Sequence, residues 1–131
     1  MSIKRISQIP GGPPALGPYS PAVVVGNFVF VSGQTPWSPE MHGIHRGTIA
    51  EQTALTLANL DKVLKAAGTD RNHVVSCRIF LSELTPETFR EMNKIYQAFF
   101  GDHKPARTTI GCQLLGMDVE IDAIAVLPEK A

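Results

Sequence analysis

Two segments of this chain carry full helix signals, and the runs around them are short, apolar and rich in β-branched residues. Thr48-Ile49-Ala50-Glu51 is a capping box, with Thr48 as N-cap and Glu51 at N3. It opens a helix in which Ala54, Leu57, Leu60, Leu64 and Ala67 recur at helical spacing, and Gly68 suits the position that ends it. Thr85-Pro86-Glu87 starts a second helix, with Thr85 as cap and Pro86 at the first helical position, where no amide proton is needed. Phe89, Met92, Tyr96 and Phe99 line one face of it as a core stripe, and Gly101 closes it. Around these helices, Val74–Leu81, 106–114 and 118–127 read as strands. Upstream, Val23–Val25 and Phe28–Ser32 flank Gly26-Asn27, which predicts a hairpin with a two-residue turn. Phe28–Val31 does not alternate, so both faces of that strand are expected to be covered. A short first strand is expected near Ile3–Ile9. The order β-β-β-α-β-α-β-β predicts an α+β layer, one mixed sheet with two helices on one face.

At 131 residues the chain is long enough for one domain, spanning 1–131. Only 18% of its residues are charged, which is thin cover for a small monomer and suggests that part of the surface is hidden in an oligomer. Lys plus Arg and Asp plus Glu both count 12, so there is no basic excess to favour nucleic-acid binding. Cys77 and Cys112 sit in apolar runs as small hydrophobes, and Met1–Arg5 lacks the apolar stretch of a secretory signal. No run approaches the roughly 20 apolar residues of a membrane span. A cytoplasmic location is expected. Residues 10–21 hold five prolines and three glycines, the composition of an ordered or semi-rigid loop.

Chemistry enters with Pro105-Ala106-Arg107, which opens the β-branched run Thr108–Cys112. A cation is expensive at the mouth of a core strand, and a guanidinium presents a rigid fork that matches a carboxylate. Arg107 is therefore either an anion anchor or a strand-end arginine reaching solvent. Parity in the last strand puts Val119, Ile121, Ala123 and Ala125 towards the helices, with Glu120 and Asp122 on the other face. In the preceding strand, Thr108, Ile110, Cys112 and Leu114 form the more apolar set. That predicts Arg107, Thr109 and Gly111 on the face away from the helices, together with Glu120. Such a half-polar, half-apolar face is what a subunit interface containing a pocket would present.

Six blocks along the chain resemble the YjgF/RidA family of small enamine/imine deaminases. They are Gly17-Pro18-Tyr19-Ser20, Phe30-Val31-Ser32-Gly33-Gln34, Gln52 through Asn59-Leu60, Asn93 with Tyr96, Pro105–Thr109, and Val119-Glu120-Ile121. They fall in family order across roughly residues 17 to 127. The resemblance implies a chorismate-mutase-like fold, a homotrimer with pockets between neighbouring subunits, and no metal or cofactor. It also implies hydrolysis of 2-enamino and 2-imino acids, such as 2-aminoacrylate and 2-iminobutyrate, to 2-keto acids and ammonia.

Carried onto these positions, the resemblance implies that Arg107 clamps the substrate carboxylate and Glu120 holds or polarises the attacking water. Tyr19 would close the pocket, Ser32 and Gly33 would supply polar and backbone contacts, and Asn93 would line or brace the site. Thr109 stands where members carry a small polar or thiol residue. The chemistry suits these residue types, because a protonated imine carbon needs only a fixed anion, one oriented water and a managed proton. Burial would raise the proton affinity of Glu120 and a nearby Arg107 would lower it.

Two departures from the family pattern matter. The Leu114–Met117 turn is shorter than usual and lacks the common Leu-Pro, which bears on where Glu120 sits. The loop Pro36–Arg46 is bulky, with Trp37, Met41, His42 and His45, which bears on substrate choice and motivates an alternative substrate of aminomuconate type. His42 and His45 lack a third ligand nearby, so no metal site is expected. Endoribonuclease activity or translation inhibition, also known in the family, and non-catalytic binding of small carboxylates are the readings from other classes.

Overall fold

The computed structural model describes residues 2–129; residues 1, 130 and 131 of the expected 1–131 span lie outside the described residues. The architecture is α+β, as the element order requires. Eight strands are β1 (Ile3–Ile6), β2 (Ala22–Val25), β3 (Phe28–Gln34), β4 (Trp37–Ser38), β5 (Gly43–Ile44), β6 (Val74–Leu81), β7 (Ala106–Gly111) and β8 (Val119–Val126). The helices are α1 (Ile49–Ala66) and α2 (Pro86–Phe100), and a single 3₁₀ turn, Arg71–His73, leads into β6.

Both helices start where their caps direct. The Thr48 hydroxyl accepts from Glu51 N–H at 3.1 Å and the Glu51 carboxylate accepts from Thr48 N–H at 2.9 Å. Thr85 caps α2 reciprocally with Thr88. The Gly26 turn between β2 and β3 has φ 59°, a conformation glycine adopts without a Cβ clash.

Six strands form one sheet in the order β1-β2-β3-β8-β6-β7; β4 and β5 form a separate two-stranded ribbon. The pairings are antiparallel except β6 with β7, whose parallel alignment needs a crossover that α2 supplies. α1 packs on β3, β8 and α2. The core between helices and sheet includes Leu57, Leu60, Val63, Leu64, Met92, Tyr96 and Phe100 against Val29, Val31, Cys77, Ile79, Leu81 and the alternating Val119, Ile121, Ala123 and Ala125.

Several expectations are corrected. The first strand stops at Ile6, ahead of the Pro10-Gly11 turn. β7 ends at Gly111, because its partner β6 ends at Leu81 and the ladder closes with Cys112 N–H donating to Leu81 C=O at 2.9 Å. β3 is covered on one face: Val29 and Val31 are buried, whereas Phe28 and Phe30 are 51% and 44% exposed in the single chain. β7 has the opposite parity from that expected. Arg107 pairs with Cys77 and Thr109 with Ile79, both core residues, so Arg107 and Thr109 lie on the helix side. Thr108 and Ile110 pair with Arg78 and Phe80 on the outer face, where both are exposed. Cys112, expected in the core, is half-buried. Apolar weight misassigns β7 because it is an edge strand: aromatic rings of α2, rather than aliphatic packing, cover its helix side.

Candidate active site

The residues singled out from sequence form two groups on opposite faces of the sheet. The first gathers around a bulge in β3. Val31 lies opposite Ala123 and Gln34 opposite Ile121, so two residues, Ser32 and Gly33, face the single residue Asp122 of β8. A bulge bends its strand and re-aims side chains, which is why such irregularities gather at sites. Here it brings Ser32 and Gly33 to the Glu120 carboxylate. The approach is close: a Cβ built on Gly33 would lie 2.9 Å from Glu120 Cδ and closer still to Oε2.

Ser32 also ties down the proline-rich loop. Its hydroxyl donates to Ser20 C=O at 2.6 Å and its N–H to Pro21 C=O at 2.9 Å. Tyr19, on the same loop, is half-exposed, and its hydroxyl accepts from Leu16 N–H at 3.3 Å. Tyr19, Ser32, Gly33 and Glu120 line one open cleft of about 570 Å³, with Phe30, Arg78, Met117 and Asp122 among its other walls. Burial, and secondarily the Asp122 charge, push the Glu120 carboxyl above the ordinary glutamate range. Arg107, expected to oppose that shift, is on the other face and takes no part in it.

The second group sits between β7 and α2. The Arg107 guanidinium stacks over Tyr96, 4.9 Å from the ring centre, and over Phe89 at 5.4 Å. No carboxylate pairs with it among the described residues. Asn93 shares the α2 face of Phe89 and Tyr96, one turn from each, and its Oδ1 is buried without a hydrogen-bond partner among the described residues. The Tyr96 hydroxyl is likewise unpartnered, beside the Cys77 thiol, which burial pushes up to about 11. Thr109 follows on the same side of β7. A cleft of about 330 Å³ runs from Arg107 and Tyr96 past Lys104 to His103.

The strand parity expected from sequence puts Arg107 and Glu120 on one face, whereas within one chain they lie on opposite faces and do not meet. The sequence reading also takes Phe89 and Tyr96 as core stripe alone, where both hold the arginine. A signal for that was available: Tyr carries a hydroxyl that a purely apolar stripe does not need.

The shortened turn into β8 is firmly held. Gln52, fully buried on α1, donates to Asp118 Oδ2 at 2.8 Å and accepts from Asp118 N–H at 2.9 Å. Ser82 and Arg46 donate to Asp118 Oδ1 at 2.7 and 3.1 Å. The sequence signal for this latch is a Gln at the first turn of α1, among the buried polar residues Thr53, Thr56 and Asn59 of that face. Trp37, His42 and His45 do not line the Glu120 cleft. Trp37 is buried with its carbonyl bound by Asn59 at 2.9 Å, His42 packs against it, and His45 lies 3.5 Å from Glu51. Among the described residues no three His, Cys, Asp or Glu side chains converge to hold a metal, and no helix is long and apolar enough to cross a membrane.

A family model described as Endoribonuclease L-PSP matches residues 11–127. A RutC family protein of Pyrococcus abyssi is 43% identical over 115 residues, 86% of this chain and 89% of its own length. The human 2-iminobutanoate/2-iminopropanoate deaminase is 34% identical over 126 residues, 95% of this chain and 90% of its own. The crystal structure of E. coli TdcF with bound serine superposes with a TM-score of 0.86 at 32% identity, covering 95% of this chain and all of that one.

Proposed function

This chain belongs to the YjgF/RidA family, and on that premise we propose that it is a hydrolytic deaminase of small 2-enamino and 2-imino acids. Its products would be the 2-keto acid and ammonia, with no cofactor. The observation that carries the reading is Arg107: a guanidinium held flat by two aromatic rings and left without a carboxylate of its own. A substrate carboxylate supplies the missing partner through two parallel hydrogen bonds. The named activity of the human relative and the serine bound to TdcF, a small amino acid, support that substrate class.

Glu120 is the base in this proposal. Half-buried and accepting no hydrogen bond among the described residues, its carboxylate takes a proton from water as the water oxygen bonds to the carbon of the protonated imine and the C=N π pair moves to nitrogen. Glu120 returns that proton to nitrogen, which makes the nitrogen a leaving group. The carbinolamine C–N bond then breaks and ammonia leaves as an oxygen lone pair forms the C=O, and the hydroxyl proton passes to the Glu120 carboxylate and on to ammonia or solvent. A raised proton affinity suits a group that must both take and return that proton. Because Arg107 and Glu120 lie on opposite faces of the sheet, we infer that each complete site is shared by two copies, with Arg107, Thr109 and Asn93 from one and Tyr19, Ser32, Gly33 and Glu120 from the next. A homotrimer is the proposed assembly. Endoribonuclease activity has weaker support here, since 12 acidic residues balance 12 basic ones and backbone recognition of RNA needs a cationic surface.

The test generates 2-aminoacrylate in solution and follows keto-acid release. The Arg107→Ala variant is expected to lose about 100-fold in kcat/KM, the worth of about 3 kcal/mol from a charge-assisted pair. Equal rates with and without the wild-type protein would overturn the proposal, and carboxylate binding without turnover would favour a non-catalytic binder.

A further inference from the structure

Arg78 and Asp122 border the same cleft as Glu120. They sit directly opposite one another on adjacent strands, Arg78 on β6 and Asp122 on β8. Asp122 takes the guanidinium as a fork: Arg78 Nε donates to Oδ1 and Oδ2 at 3.2 and 3.0 Å, and Nη2 donates to Oδ2 as well. Glu120 is two residues back along β8 on the same face, opposite Phe80. Arg78 is therefore its diagonal neighbour, at a backbone separation of about 7–8 Å that a long side chain spans. The other titratable group facing the cleft is Tyr19, from the proline-rich loop; β3 contributes only the uncharged Ser32 and Gly33 beside the carboxylate. Arg78 is thus the cation that lines the cleft with Glu120, and it is committed to Asp122, as Arg46, near the foot of β8, is committed to Asp118.

We propose that Asp122 is a positioning residue that sequesters Arg78, keeping the Glu120 carboxylate free to act on water. The inference rests on Glu120 being the base. A bidentate arginine–carboxylate pair is strong and directional, so the guanidinium that Asp122 holds is not available to its diagonal neighbour. Released, Arg78 would turn to Glu120 by the same attraction. It would then occupy the lone pairs that accept the proton of water and stabilise the carboxylate against taking it. With Arg78 held, the Asp122 carboxylate acts the other way, as a neighbouring negative charge beside Glu120.

The decisive measurement is the pH dependence of kcat/KM for the full chain as Asp122→Asn. The acid limb is expected to move at least about one pH unit lower, with a severalfold loss in plateau kcat, as an ion pair forms at Glu120. The Arg78→Gln/Asp122→Asn double variant removes the freed cation and is expected to return most of the lost rate. An Arg107 supplied by a second copy is present in all of these variants and cancels from the comparison. Should Asp122→Asn fail to fold, Arg78→Gln alone leaves Asp122 uncompensated and is expected to move the limb upward. An unchanged limb and kcat in Asp122→Asn, or in Arg78→Gln where that is the variant that folds, overturns the inference. Glu120→Gln separates the premise: full turnover there removes Glu120 as base, whereas loss of turnover there with an unmoved Asp122→Asn limb removes only the role of Asp122.

Discussion

Gly33 leaves almost no room at the site. Nothing about its backbone demands glycine; what excludes a side chain is the Glu120 carboxylate, whose Cδ would lie 2.9 Å from a new Cβ. In Gly33→Ala the carboxylate must swing aside, because the bulge that carries Gly33 is pinned on both sides, at Val31 and Gln34 by β8 and at Ser32 by its hydrogen bonds to Ser20 and Pro21. Turnover is expected to fall about 100-fold, since a misplacement of about 1 Å at a reacting group has that effect. The melting temperature should change little, because a half-buried side chain next to an open cleft can move. Parallel turnover and thermal-melt measurements check this, and an unaffected rate would mean that Glu120 does not need its present position. At this scale the family pattern put Arg107, Glu120, Tyr19, Ser32, Gly33, Asn93 and Thr109 in one site, and of these the structure brings Tyr19, Ser32, Gly33 and Glu120 to one cleft. The Arg78–Asp122 pair was not legible, because residues 44 positions apart meet only through strand register.

The elements behave as their end signals direct. Capping boxes, a proline at N1 and glycines past the helix ends act over three or four residues, so α1 and α2 could be bounded from the chain alone. The entry to β8 is different, because its geometry depends on Gln52 of α1 reaching Asp118 across 66 positions. Hydrogen bonds from Gln52 first, then Ser82, and the Arg46 charge hold the Asp118 carboxyl below its usual range. A group whose folded-state pKa is depressed adds stability above its unfolded value, and that stability is lost as pH falls through the folded value. Wild type should therefore exceed Asp118→Asn in denaturant stability at neutral pH, with the difference shrinking as pH drops below about 4. A gap independent of pH would show that the carboxylate charge is not what the latch uses. Gln52→Leu leaves the Asp118 amide and carboxylate without their buried partner and should cost about 2 kcal/mol, with turnover falling as the strand bearing Glu120 loosens.

For the whole molecule, the low charge fraction and the outer-face aromatics Phe28 and Phe30 point in the same direction as the divided site. On the proposed function, a chain with Arg107 on one face and Glu120 on the other would complete its site only beside another copy. Mixing the Arg107→Ala and Glu120→Gln proteins under subunit exchange tests this, because a site built from the intact half of each is whole. With random assortment at equal amounts, about a quarter of sites should be intact and activity should recover to about that fraction. No recovery, with exchange demonstrated, would place both groups in a site within one chain.

What the sequence by itself determined were the two helices with their caps, the strands of the main sheet apart from the ends of β1 and β7, and the alternation along β8, because these depend on neighbours a few positions away; the β4–β5 ribbon was not among them. The tertiary structure decided where those residues face. β7 has a strand neighbour on one side only, so its parity comes from parallel pairing with Cys77 and Ile79 rather than from its own apolar pattern. That pairing turns Arg107 towards the rings of Phe89 and Tyr96, and the facing register of β6 and β8 gives Arg78 to Asp122 instead of Glu120.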